Sequence, residues 1–133
     1  MTMKEIVYSA LSDDAILNAY GVNGQNTYSS NVKSNYDEKF FVIIRWGFVS
    51  QRLTSQAPNG KQFVSIWVHD KQRDTNKIDR VIRRIFDILT NLKDISDADG
   101  RVTQIDWQGD SEEGYDDQFG TTTRSTDYVI IGR

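Results

Sequence analysis

Residues 62–92, QFVSIWVHDKQRDTNKIDRVIRRIFDILTNL, change hydrophobic period part-way along. In the first nine positions Phe63, Ser65 and Trp67 alternate with Val64, Ile66 and Val68, the period of two that a pleated strand imposes. From Asn76 onward Ile78, Val81, Ile82, Ile85, Ile88, Leu89 and Leu92 recur at i, i+3, i+4, i+7, which is one stripe of an amphipathic helix. Asp74, Thr75 or Asn76 serves as its cap. The opposite face carries Asp79, Arg80, Arg83, Arg84 and Asp87, with Asp79–Arg83 and Arg83–Asp87 at i, i+4 spacing.

Upstream, KFFVIIRWGFVS (39–50) is a second long strand, dense in β-branched and aromatic residues. Its first half has apolar side chains at successive positions, so both faces are covered there. The polar segment QRLTSQAPNGK (51–61) joins it to the 62–70 strand, most simply as an antiparallel hairpin, with a Pro58-Asn59-Gly60 turn. Before it, MTMKEIVYSALSDDAILNAYG predicts one broken amphipathic helix, with Ser12-Asp13-Asp14 capping a second turn and Gly21 ending it. Residues 22–38 are polar, with one short strand around Tyr28 to Val32. After the long helix, DISDADG is a turn. RVTQIDWQ and TTTRSTDYVIIG are closing strands separated by the acidic loop GDSEEGYDDQFG. The expected fold is a single α+β domain over residues 1–133: a mixed, mainly antiparallel sheet of about four to five strands with two helices packed on one face.

Composition narrows the chemistry. The 133 residues suit one domain with one core. Sixteen basic and nineteen acidic side chains leave a formal charge of −3, so no global positive field favours a nucleic-acid-binding module. The absence of cysteine removes disulfides, thiolate zinc sites and cysteine nucleophiles. No run of about 18 apolar residues is present and the N-terminus does not read as a signal peptide, so a soluble protein is expected.

His69, the only histidine, stands beside Asp70. Neighbours on a strand point to opposite faces, so the two do not pair directly, and no nucleophile motif accompanies them. A structural or subunit-interface role is preferred for both over a small hydrolase using His69. Asp97-Ala98-Asp99-Gly100 lacks the remaining ligands of a calcium loop and reads as a turn. Asp110, Glu112, Glu113, Asp116 and Asp117 form an acidic segment, solvated or presented to a partner. Arg80, Arg83 and Arg84 make a basic helix face, read as a subunit-facing surface rather than a phosphate track. No cofactor or metal is expected.

Several motifs then fall in a recognisable order: Arg45-Trp46-Gly47, Trp67 to Asp70, Ile78-Asp79, Trp107-Gly109-Ser111, Tyr115-Asp116-Asp117 and Thr121 to Thr123. In order and spacing, from about Glu38 to Tyr128, they resemble the tail terminator proteins of long-tailed bacteriophages. The resemblance implies a non-enzymatic virion protein, assembled in the host cytoplasm. As a homo-hexameric ring it would cap the tail tube, stop its polymerisation and offer a surface to the head connector, while genomic DNA passes through the lumen unbound. Tail tube protein and connector or stopper protein are then the partners, and no membrane is involved. Another neck component, a head-completion or stopper protein, is the nearest alternative. A ring needs one patch to meet a different patch next door. The expectation is that Arg80, Arg83 and Arg84 meet Asp110, Glu112, Glu113, Asp116 and Asp117, unless those carboxylates line the lumen. Gln51, Arg52, Pro58, Asn59 and Lys61 form the expected contact loop toward tube or connector.

Overall fold

The computed structural model describes residues 1–29, 38–49 and 60–133. Three helices and seven strands follow one another: α1 (Met3–Ser12), α2 (Ala15–Ala19), β1 (Thr27–Ser29), β2 (Phe40–Val49), β3 (Gly60–Asp70), α3 (Thr75–Thr90), β4 (Ile95–Ser96), β5 (Arg101–Asp110), β6 (Gly114–Asp116) and β7 (Thr121–Gly132). The sheet order is β1-β2-β3-β7-β5-β4, with β6 also pairing to β7. Among the described residues only the β1–β2 pair is parallel. The mixed, mainly antiparallel sheet is therefore as expected, but its seven strands and three helices exceed the four to five and two read from the sequence.

The excess has local causes. At the N-terminus, Thr2 caps α1 by accepting from the Glu5 N–H at 3.2 Å. Asp14 then starts a separate helix by accepting from the Leu17 N–H at 2.9 Å. The broken helix is thus two helices, and Gly21, at φ +90°, ends the second. The strand expected over Tyr28 to Val32 is β1, seen over Thr27–Ser29; positions 30–32 lie outside the described residues. β4 has two residues, too few to leave a period.

The acidic segment is not a loop between two strands. β5 pairs with β7 as far as Asp110↔Thr126, and β6 resumes at Gly114↔Thr123. Between them Ser111, Glu112 and Glu113 oppose Arg124 and Ser125, a bulge closed by Ser111 N–H to Ser125 O at 2.8 Å and Ser125 N–H to Ser111 Oγ at 2.9 Å. Arg101 to Gly132 is one long interrupted hairpin. Its tip is set by Asp116, whose Oδ1 accepts from the Gln118 and Phe119 N–H groups at 2.9 and 3.1 Å.

All helices pack on one face. Ile78, Val81, Ile82, Ile85 and Leu89 of α3 join Val42, Ile44, Val64, Ile66, Val68, Val102, Ile105, Tyr128 and Ile130 in the main core. The other face holds a smaller cluster, Phe41 and Ile43 with Tyr28, Trp67 and Phe119. Phe40 to Ile44 are consequently all buried, as a strand covered on both sides requires.

Candidate interaction site

His69 and Asp70 end β3 inside the fold, 3% and 1% exposed. His69 Nδ1 lies 2.8 Å from Thr121 Oγ1, and its ring stacks on Phe41 and meets the edge of Phe119. Burial pulls its pKa down to about 4, with Arg45 acting in the same direction and Asp116 opposing. The ring is neutral at pH 7, enclosed, and bonded to a hydroxyl whose own residue is fully buried. It borders a small pocket of about 110 Å³ together with Ile43, Arg45, Trp67, Asp116 and Phe119. Asp70 accepts from the Gln72 and Asp74 N–H groups, both at 3.0 Å, holding the turn into α3. Any effect of this pair on an interface must pass through the packing around it.

The three helix arginines do not act together. Arg84 forks onto Asp14, with Nε and Nη2 donating at 3.0 and 2.8 Å. This contact holds the Asp14 carboxyl below the usual range. Arg80 and Arg83 are exposed on the outer side of α3 and form no ion pair among the described residues. The expected Asp79–Arg83 pair is replaced: Asp79 Oδ1 accepts from Arg124 Nη1 at 2.6 Å, and Arg124 Nη2 lies 3.8 Å from Asp110. Arg124, far along the chain, carried no mark of this role in its own surroundings.

The carboxylates divide likewise. Asp110 accepts from Trp107 Nε1 at 2.9 Å besides facing Arg124. Asp116 caps the hairpin tip. Glu112, Glu113 and Asp117 are exposed and unpaired among the described residues. Glu112, Asp116 and Asp117 border an open groove of about 700 Å³ whose floor includes Trp67 and Thr123 and whose wall includes Tyr115. Register fixes its side of the molecule. Trp67↔Ser125, His69↔Thr123, Gly114↔Thr123 and Asp116↔Thr121 share the face away from the helices.

Of two exposed aromatics that meet, sequence singled out Trp107 within its motif but not Phe86. Phe86 and Trp107, 39% and 47% exposed, meet edge to face at 5.9 Å beside α3. Phe86 lies seven positions after Asp79 on the polar helix face, which was the available signal. Gln51, Arg52, Pro58 and Asn59 of the expected contact loop lie outside the described residues, and Lys61 belongs to β3. Among the described residues no group of three His, Cys, Asp or Glu is placed to hold a metal ion, and no helix is long and apolar enough to cross a membrane. Asp97 and Asp99 face the N-terminal ammonium instead, at 2.8 and 3.7 Å.

No family model and no curated protein matches the chain. Among solved structures, it is similar to a chain from the virion of a native gene transfer agent (GTA) particle. The two align with a TM-score of 0.72 and 16% identity, over 99% of this chain and 93% of that one. They share a fold along nearly their whole lengths.

Proposed function

We propose that the chain is a structural virion protein that caps the tail tube as a ring, stops its polymerisation and joins tail to head connector. The observation that carries this reading is the end-to-end fold likeness to a chain of the gene transfer agent virion. It adds to the ordered motifs from Arg45-Trp46-Gly47 to Thr121 to Thr123 that resemble tail terminators. The enclosure of His69 supports a non-enzymatic role over the hydrolase alternative. Ring closure in this reading uses a heterologous contact between identical subunits, a homo-hexamer by resemblance. The partners are a tail tube protein on one side and a connector or stopper protein on the other.

The test is to block production of the protein in its parent particle system and image the lysate by negative-stain electron microscopy. Overlong headless tubes are expected. Normal-length tails lying apart from filled heads would move the protein to the head side of the joint. Intact particles would overturn a neck role altogether.

A further inference from the structure

The free arginines and the free carboxylates lie on opposite sides of the subunit. Arg80 and Arg83 project from the outer side of α3, whose inner stripe is buried against the sheet. The groove bordered by Glu112, Asp116 and Asp117 opens on the sheet's other face, around Trp67. From these two surfaces we infer that the groove is the socket for α3 of a second copy of this chain, which inserts Arg80 and Arg83 between the carboxylates. The inference names the contact within the ring of the proposed function, and rests on that reading only for its closure into a ring.

Complementary charge is the argument for the second copy as occupant. The charges are complementary and unsatisfied on both sides: two exposed arginines without ion pairs, and Glu112 and Asp117 without cations among the described residues. A helix outer side meeting the opposite sheet face puts each subunit's donor surface against its neighbour's acceptor. That is a head-to-tail contact, not a two-fold one. Arg84 and Asp110, expected to take part, are excluded because Asp14 and Arg124 already hold them.

The cysteine-free chain makes the test direct. Asp87→Cys places a thiol one turn beyond Arg83, and Glu113→Cys places one beside Glu112, leaving both arginines and three carboxylates intact. With a short bismaleimide, the double variant should give a ladder of covalent oligomers and a mixture of the two single variants should give heterodimers only. Each single variant alone should stay monomeric. Crosslinking should exceed that of a control pair, Asp87→Cys with Asp99→Cys, by on the order of tenfold through effective concentration. Adding Arg83→Glu should abolish the ladder, and adding Glu112→Arg to that variant should restore it. A ladder no stronger than the control, one that survives Arg83→Glu, or homodimers from Asp87→Cys alone would each overturn the inference. Crosslinking reads the contact and the lysate images read the role, so either can fail without the other.

Discussion

The His69 imidazole lies flat on the Phe41 ring, with centroids 4.6 Å apart and planes 6° from parallel. Phe119 closes over it from the hairpin tip at 5.6 Å. One titratable ring is thus the centre of the smaller apolar cluster, and the stability of that face is tied to its protonation.

The direction follows from proton counting. Unfolded, His69 takes a proton below about 6.5; folded, burial keeps it neutral down to about 4. Between those values the unfolded chain binds more protons, so stability falls as pH falls through this window, by at most roughly 3 kcal/mol. Above about pH 7 the effect is fully present and flat. Denaturant melts from pH 4 to 8 should show the slope, and His69→Phe should flatten it. An unchanged slope in that variant would assign the acid sensitivity to other groups.

Asp70 carries a different duty from its neighbour. Its carboxylate accepts from Gln72 and Asp74, and Asp74 in turn caps α3 by accepting from the Lys77 N–H at 3.1 Å. Asp70→Ala leaves two turn amides without their acceptor and should cost about 2 kcal/mol. Asp70→Asn, which keeps one acceptor oxygen, should lose less. Urea midpoints of the two variants would rank them, and equal losses would mean that the turn does not depend on this carboxylate.

Much of the architecture was legible because it rests on local pattern. The α3 stripe, the burial of β2 on both faces and the helix break at Ser12-Asp13-Asp14 each come from residues near one another in the chain. The hairpin through Ser111 to Asp116 was not, because its charged residues have no apolar alternation; backbone pairing to β7 and the Ser111 side chain hold it. The site was half legible for the same reason. Sequence marks Arg80, Arg83 and Arg84 alike, but the Arg84 partner lies 70 residues away, and only the fold separates the engaged arginine from the free ones.

That separation has a measurable consequence. Asp14 both caps α2 and accepts the Arg84 fork, with its side chain 14% exposed. Asp14→Ala should therefore cost about 2 kcal/mol, cap and ion pair together. Arg84→Ala should cost less than Asp14→Ala, and Arg83→Ala close to nothing. In a double-mutant cycle Asp14 and Arg84 should couple, and Asp14 and Arg83 should be additive. Coupling to Arg83 of equal size would contradict the division of the arginines.

Two glycines of the long hairpin should respond oppositely to a methyl group. At Gly132 a Cβ would stand 2.1 Å from the Arg101 carbonyl oxygen, a backbone atom fixed by the bonds Arg101 N–H to Arg133 O and Arg133 N–H to Arg101 O at 2.7 and 2.9 Å. Relief requires the β5–β7 ladder to part at the end away from the hairpin tip. Gly132→Ala should cost about 3 kcal/mol, the upper part of the range for forced overpacking. At Gly114 in β6, the nearest atoms to a Cβ are 4.0 Å away, ordinary contact distance. Gly114→Ala should be neutral or slightly stabilising, since alanine has less backbone freedom to lose on folding. Thermal melts of the two variants would decide the matter, and a tolerated Gly132→Ala would mean that β5 and β7 are not clamped where the Arg101 and Arg133 bonds place them.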